Sequence, residues 1–262
     1  MSIVLNEHYS AEQSIESNFL GNKPLETLRR VARYYMDING ITDKKAVRGM
    51  LDTFLLRCDP AASIPKWSMV LDFATEWAFK HEAIIIESII ITKPELQKID
   101  SLDSKQIKRL AFVLLCLSKY WNAVNNQNDN WVNSKDNEVM AFANIKTSIR
   151  RQCAMYATLR DCGFIQFSKK VDNTNVKVCF ATDGEPAMII TDLRNLGYQY
   201  LKHHGEPYFE CKNCGIVTRY KNHMSKKSIR QQKYCESCAV EIRTQQNINA
   251  VMRRRKKITT SI

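Results

Sequence analysis

Four of the nine cysteines form two closely spaced pairs near the C-terminal end of the sequence. Two residues separate Cys211 from Cys214, two separate Cys235 from Cys238, and twenty residues lie between the pairs. Thiolates in CxxC turns are preferred ligands of structural zinc, because two such turns supply the four sulfurs of a tetrahedron. The spacing therefore predicts one structural Zn²⁺ held by all four cysteines.

The residues beside these pairs indicate the kind of zinc domain. Gly215 follows the first pair and permits a tight turn, and a helical pattern begins at Ala239, directly after the second pair. A treble-clef finger or a zinc ribbon fits this order, and the helix favours the treble clef. The segment has few apolar residues, so we expect metal binding to supply on the order of 10 kcal/mol of its folding free energy.

The other five cysteines are scattered singly through apolar or helical sequence. A free cysteine behaves as a small hydrophobic residue, and disulfides are rare in a reducing compartment. We therefore expect these side chains to be buried in the core: Cys58, Cys116, Cys153, Cys162 and Cys179.

The chain is strongly basic, and its excess charge is concentrated towards the C-terminal end. It has 39 Lys and Arg against 27 Asp and Glu, a net charge of +12. Residues 205–262 alone contain thirteen basic and four acidic residues, a net charge of +9. This charge favours a polyanionic partner, with DNA as the first candidate, although basic tails also bind acidic proteins. The candidate phosphate-binding residues here are Arg219, Lys221, Lys226, Lys227, Arg230, Lys233, Arg253, Arg254, Arg255, Lys256 and Lys257.

The middle of the chain has the order of elements of a winged helix-turn-helix. An apolar helix over 104–124 is followed by a polar loop, a short strand at 131–132 and a short helix over 138–142. A turn over 143–146 then leads to a longer helix over 148–162, which Gly163 closes. Two alternating strands, 164–168 and 176–180, complete the pattern as a hairpin.

The second helix of such a motif places its N-terminal residues in the major groove of DNA. We expect Ile149, Cys153, Tyr156 and Leu159 to face the core. Candidate DNA contacts at the start of this helix and on the wing are Lys146, Thr147, Arg150, Arg151, Lys169 and Lys170. Two alternatives stay open, since an arginine pair is often a solvated surface and winged helices also dock proteins.

Helical patterns also dominate the first hundred residues. Apolar residues three and four positions apart predict helices over 25–39, 43–57 and 65–81, followed by a strand over 83–92 and a short helix over 94–99. The predicted fold is mainly α, within the α+β class. We divide it into a helical domain (1–103), a winged helix-turn-helix domain (104–204) and a basic zinc finger with its tail (205–262).

Motifs of known enzyme classes are missing from the sequence. There is no P-loop, nucleophile elbow or HExxH pattern. The pair Asn222-His223, with His203 and His204 upstream, invites comparison with HNH nucleases, but no second histidine follows His223. We expect a non-catalytic protein without a small-molecule substrate. The apolar stretches are too short to span a bilayer and no secretory signal is visible, which predicts a cytoplasmic location and no membrane partner.

Three segments carry a resemblance to a known group of proteins. The segments are 159–165 (LRDCGFI), 168–175 (SKKVDNTN) and 232–239 (QKYCESCA). They are similar to proteins without an agreed activity that are encoded by phages and mobile elements of Gram-positive bacteria. More loosely, they resemble the winged helices of phage replisome organisers. The resemblance covers about residues 105–245 and implies a mobile-element setting in a bacterial host cell.

Two functions are compatible with these observations. The first is non-catalytic DNA binding in the regulation of replication or transcription, with the winged helix setting the register and the basic finger adding phosphate affinity. The alternative is a phage-encoded protein that inhibits a host defence system, of the anti-CRISPR or anti-restriction type. Its partner would be a host or phage protein, or a protein–nucleic acid complex.

Overall fold

The computed structural model describes residues 3–169, 175–220 and 232–259. These residues form a helix-rich α+β fold with ten helices and seven short strands, which confirms the expected class. No helix in this part of the chain is both long and apolar enough to cross a bilayer.

The helices are α1 (Glu7–Ser17), α2 (Pro24–Asn39), α3 (Lys44–Cys58), α4 (Ile64–Lys80), α5 (Lys93–Asp100), α6 (Lys105–Val124), α7 (Asp136–Phe142), α8 (Ile149–Asp161), α9 (Leu196–His203) and α10 (Glu236–Thr259). The strands are β1 (Ile89–Thr92), β2 (Trp131–Val132), β3 (Ile165–Phe167), β4 (Val176–Val178), β5 (Pro186–Ile190), β6 (Tyr208–Glu210) and β7 (Val217–Arg219). The three sheets have the orders β1-β5, β2-β4-β3 and β6-β7.

The chain divides into two compact units. The first consists of Met1–Ile90, Asn122–Gln127 and Met188–Leu193, and the second contains the remaining segments. The predicted three-part division at residues 104 and 205 stays a prediction.

The first unit is a bundle of α1 to α4. Apolar residues at helical spacing on α2, α3 and α4 form its core, with Leu28, Leu51 and Leu71 fully buried. The Asp43 carboxylate accepts a hydrogen bond from the backbone of Ala46 at 2.8 Å and so fixes the start of α3. The apolar residues whose periodicity predicted α2, α3 and α4 are therefore the residues that form this core.

The sequence pattern missed α1. Glu7 on this helix is buried, and its carboxylate accepts the backbone N–H of Ile84 at 3.0 Å and lies 3.6 Å from Arg30 Nε. The segment near Ile84, where a longer strand was expected, instead forms this contact, and regular strand structure is confined to β1.

In the second unit, α6 is the central helix, with eight consecutive residues from Leu110 to Leu117 fully buried. Strand β4 lies between β2 and β3 in an antiparallel sheet, with Ile165 opposite Val178 and Trp131 opposite Lys177. The short helix α7 leads through a turn at Asn144, which has a left-handed backbone (φ 54°), into α8. This order of helices and strands is the frame that positions the basic residues at the start of α8.

The expected inward face of α8 is partly wrong. Tyr156 and Leu159 are buried together with Met155, but Ile149 is 78% exposed and Cys153 is also exposed. Burial on this helix begins only at Met155, where the Tyr156 hydroxyl also bonds to the Asp136 carboxylate on α7, and the residues before it are not buried.

The expectation for the isolated cysteines is also only partly correct. Cys116 is fully buried on α6, whereas Cys58 is half-buried. The other three lie at the surface, on the outer side of a helix, at a helix end and at a strand end: Cys153, Cys162 and Cys179.

Candidate metal centre and nucleic-acid interface

The first cysteine pair lies on the turn between β6 and β7. The backbone N–H of Cys211 donates to Ile216 O at 3.0 Å, and that of Gly215 donates to Cys211 O at 2.9 Å. Gly215 has a φ of 73°, a left-handed backbone that favours glycine. These bonds fold residues 211–215 into a tight loop that directs two thiols to the same side.

The second pair lies at the start of α10. Cys235 directly precedes the helix, and Cys238 is in its first turn. The Cys235 backbone N–H donates to Cys211 Sγ at 3.3 Å, and the Lys212 N–H donates to Lys233 O at 2.9 Å. These hydrogen bonds join the hairpin to the beginning of the helix and bring the two pairs together.

The four sulfur atoms form a compact cluster. They all lie within 4.8 Å of one another, and Cys214 Sγ is 3.7 Å from Cys235 Sγ. Cys211, Cys235 and Cys238 are almost fully buried. Within the described ranges, no other group of three or more His, Cys, Asp and Glu side chains is placed to share a metal ion. The cluster of the four predicted cysteines is therefore confirmed and is compatible with a structural metal site.

Hydrogen bonds to sulfur favour the ionised form of part of this cluster. Burial raises the pKa of the Cys211 thiol, but backbone N–H donors from Cys235, Cys214 and Asn213 outweigh it and lower the pKa to about 6. Burial raises the pKa of Cys214 to about 12. The Asn213 side-chain amide donates to Cys238 Sγ at 3.4 Å. Donors aimed at sulfur are typical of metal-bound thiolates.

The hairpin is held by the residues that precede α9. Arg194 Nη2 donates to Cys214 O at 2.6 Å, and Asn195 Nδ2 donates to Val217 O at 2.9 Å. Asn195 Oδ1 in turn accepts from Asn144 Nδ2 at 2.9 Å. The turn between α7 and α8 is therefore linked through one side chain to the strand that follows the first cysteine pair. Sequence reasoning missed Asn195, because its partners are 51 and 22 residues away.

The predicted contacts at the start of α8 lie at the surface. Lys146, Arg150 and Arg151 are exposed, and Thr147 is half-buried. Lys169, which follows β3, is exposed as well. Among the contacts between described residues, none is an ion pair or hydrogen bond made by the side chains of these four cations.

Other cations of the same unit are neutralised locally. Lys202 pairs with Glu210 at 3.1 Å and Arg160 with Asp161 at 2.7 Å. The cations at the start of α8 differ from these because they form no ion pair with any residue that the structure describes.

Two of the cations predicted in the finger have described side chains. Arg219 is exposed on β7, opposite Tyr208, and Lys233 is exposed before α10. Lys170, Lys221, Lys226, Lys227 and Arg230 lie outside the described residues. The backbone of Arg253, Arg254, Arg255, Lys256 and Lys257 belongs to α10, and their side chains lie outside the described part.

Two of the histidines that prompted the comparison with HNH nucleases are described, and neither is part of the cysteine cluster. His203 and His204 lie at the end of α9, with His204 Nε2 3.2 Å from Asp100 Oδ1. Asn222 and His223 fall outside the described residues.

Comparison of the chain with protein-family models, curated protein sequences and solved structures finds no match.

Proposed function

We propose that the four-cysteine cluster holds one structural Zn²⁺ in a treble-clef finger. Four sulfurs placed tetrahedrally about 2.3 Å from a zinc ion are about 3.8 Å apart, close to the 3.7 Å between Cys214 and Cys235. A hairpin bearing one pair and a helix start bearing the other give the order of a treble clef. Four protein ligands leave no coordination position for substrate, which argues for a structural role rather than a catalytic one.

Metal analysis and thiol labelling together test this assignment. We expect about one zinc per chain in the purified protein, from the ligand set. An alkylating reagent should modify the exposed Cys153, Cys162 and Cys179 while zinc is bound, and chelation should add the four cluster cysteines. Absence of zinc, or labelling of the cluster before chelation, would contradict the proposal.

We propose further that the protein binds duplex DNA without cleaving it. In the proposed complex, α7 and α8 are the helix-turn-helix, β3 and β4 form the wing, and α8 lies in the major groove. The observation that carries the proposal is the group of exposed cations at the start of α8, Lys146, Arg150 and Arg151, whose side chains have no ion-pair partner among the described residues. The basic finger and tail add affinity for phosphates that does not depend on sequence.

The biological setting is part of the same proposal. The resemblance of residues 105–245 to proteins of phages and mobile elements supports a regulator of replication or transcription of such an element. A DNA-binding regulator needs no catalytic residues, so its activity would consist of occupying a site.

A second candidate function is the inhibition of a host defence protein through direct contact. The observation that favours it lies on α4, where Met69 is 83% exposed and Phe73, one turn later, is 54% exposed. Exposed apolar neighbours of this kind are typical of protein contacts when they form a patch. In that case the first unit, rather than α8, would carry the function.

Fluorescence anisotropy with short duplexes distinguishes the two candidates. The zinc-loaded chain should bind with an affinity that falls steeply as salt rises. The double variant Arg150→Ala/Arg151→Ala should reduce the logarithmic salt slope by about two if both residues contact phosphates. If they contact bases, it should instead reduce sequence preference.

A matched control removes the same charge elsewhere. Lys44 and Lys45 are also adjacent cations in the first turn of a helix, α3. The double variant Lys44→Ala/Lys45→Ala should bind duplexes like the wild type. Equal losses in the two double variants would mean that only net charge matters, and no duplex binding by the wild type would favour the protein-binding candidate.

A further inference from the structure

The outward side of α8 contains an apolar residue among its cations. Ile149, the first residue of the helix, is 78% exposed, the second highest exposure among the large hydrophobic side chains of the described residues. Cys153 and Ala154, one turn further on, are exposed too. The buried residues of α8, Met155, Tyr156 and Leu159, lie further along the helix.

The second half of α8 is fixed from within the fold. The hydrogen bond from Tyr156 to Asp136 and the burial of Leu159 hold this half of the helix against the unit. At 3.6 residues per turn, Ile149 lies two turns before Tyr156 on nearly the same side of the helix. No residue from Ile149 to Ala154 is buried, so Ile149 is exposed together with the whole N-terminal part of the helix.

Charge complementarity indicates what covers this side chain. Ile149 is flanked in sequence by Lys146, Arg150 and Arg151, which are exposed and form no ion pairs with described residues. An apolar protein surface or a lipid tail region would have to bury these charges at high cost. The major groove of DNA offers phosphates for the cations and also an apolar group, the 5-methyl group of thymine.

We propose that Ile149 contacts the methyl group of a thymine, so that the preferred duplexes carry a thymine at one fixed position of the site. The inference rests on the proposed DNA binding, because it uses the placement of the N-terminal end of α8 in the major groove. Apolar side chains at the start of a recognition helix discriminate thymine by this contact. Arg150, the next residue, would read an adjacent base or bind its phosphate.

Replacing thymine by uracil removes only the methyl group and keeps base pairing. Preferred duplexes are first selected from a randomised library with the zinc-loaded full chain, and each thymine is then replaced singly by uracil. Burial of one methyl group changes affinity about fourfold. We expect one position at which uracil weakens binding by about that factor, measured by anisotropy at constant salt.

The variant Ile149→Ala identifies the side chain that senses the methyl group. It should bind the thymine duplex several-fold more weakly than the wild type and should bind the thymine and uracil duplexes equally at that position. Ile38→Ala is the matched control, because Ile38 is 56% exposed on another helix, α2. It should retain the full discrimination of the wild type.

The possible failures can be told apart. If the wild type binds duplexes but uracil is as good as thymine at every position, the methyl contact is refuted and DNA binding stands. If Ile149→Ala discriminates thymine from uracil as the wild type does, another side chain makes the contact and the assignment is wrong. If the wild type binds no duplex, both the inference and the proposed function fail.

Discussion

Gly197 on α9 gives the sharpest test of the packing in the second unit. A Cβ atom at this position would lie 2.1 Å from the carbonyl oxygen of Ala143 and 2.6 Å from its carbonyl carbon. Non-bonded carbon contacts are optimal at about 3.5–4.0 Å, so the variant Gly197→Ala has to push α9 away from the end of α7 by about 1 Å or more. The obstacle is backbone, which cannot rotate aside as a side chain can.

The size of the effect follows from two opposing terms. Overpacking of this kind costs about 3 kcal/mol at the upper end of the usual range, since no flexible group can yield. Alanine is favoured over glycine in a helix by about 1 kcal/mol. We therefore expect Gly197→Ala to lower the free energy of unfolding by about 2 kcal/mol, which corresponds to about 4–8 °C in Tm for a unit of this size.

Thermal unfolding of the zinc-loaded chain, followed by circular dichroism, measures this effect. The control is Gly49→Ala on α3, where nothing lies within 4 Å of the added Cβ and φ is not positive. There the same exchange should raise stability by about 0.5–1 kcal/mol. A Gly197→Ala variant that melts at or above the wild-type temperature would refute the close contact between α9 and the residue that follows α7.

Two further changes test individual side-chain hydrogen bonds. Asn195→Ala removes the hydrogen bonds to the cysteine-bearing hairpin and to the turn before α8, so we expect about 1–3 kcal/mol lower stability and weaker binding of the proposed zinc in competition with a chelator. Unchanged zinc affinity would mean that the hairpin does not depend on Asn195. In the first unit, burial raises the pKa of Asp37, but hydrogen bonds from Arg33 and His8 outweigh it and hold the pKa below its usual value. A depressed pKa stabilises the fold above about pH 4, the pKa of an unfolded aspartate, and the advantage is lost as the pH falls through the folded value. The wild type should therefore exceed Asp37→Asn in stability by about 0.5–1 kcal/mol near neutral pH and approach it in acid, as urea titrations at several pH values would reveal.

Local patterns predicted those parts of the fold that local forces determine. The helices α2, α3 and α4 have apolar residues three and four positions apart, and the same residues form the core of the first unit. The cysteine cluster was predictable for a related reason, since the spacing of a CxxC pair is itself the geometric requirement of the metal. Neither inference needed information from distant parts of the chain.

Features that depend on distant partners could not be predicted in this way. Helix α1 buries only Glu7 and Ala11 and packs Ile15 partly against the core, which is too few apolar residues for its sequence to predict a helix. Glu7 also contacts Arg30 and Ile84, which are distant in the sequence. The expected inward face of α8 was partly wrong because its buried residues begin only at Met155, and the helical period of the sequence does not show where burial begins.

The contacts of residues 194–197 give the proposed zinc ion a role beyond its own finger. Arg194 bonds to Cys214 within the first cysteine loop and Asn195 to Val217 just after it, while Asn195 and Gly197 contact the turn that leads into α8. Without metal, the loop and the strand that follows it would lose part of the support that the proposed ion gives them. A structural ion that never touches DNA could therefore influence sequence preference, because it helps to fix the end of the helix that we place in the major groove.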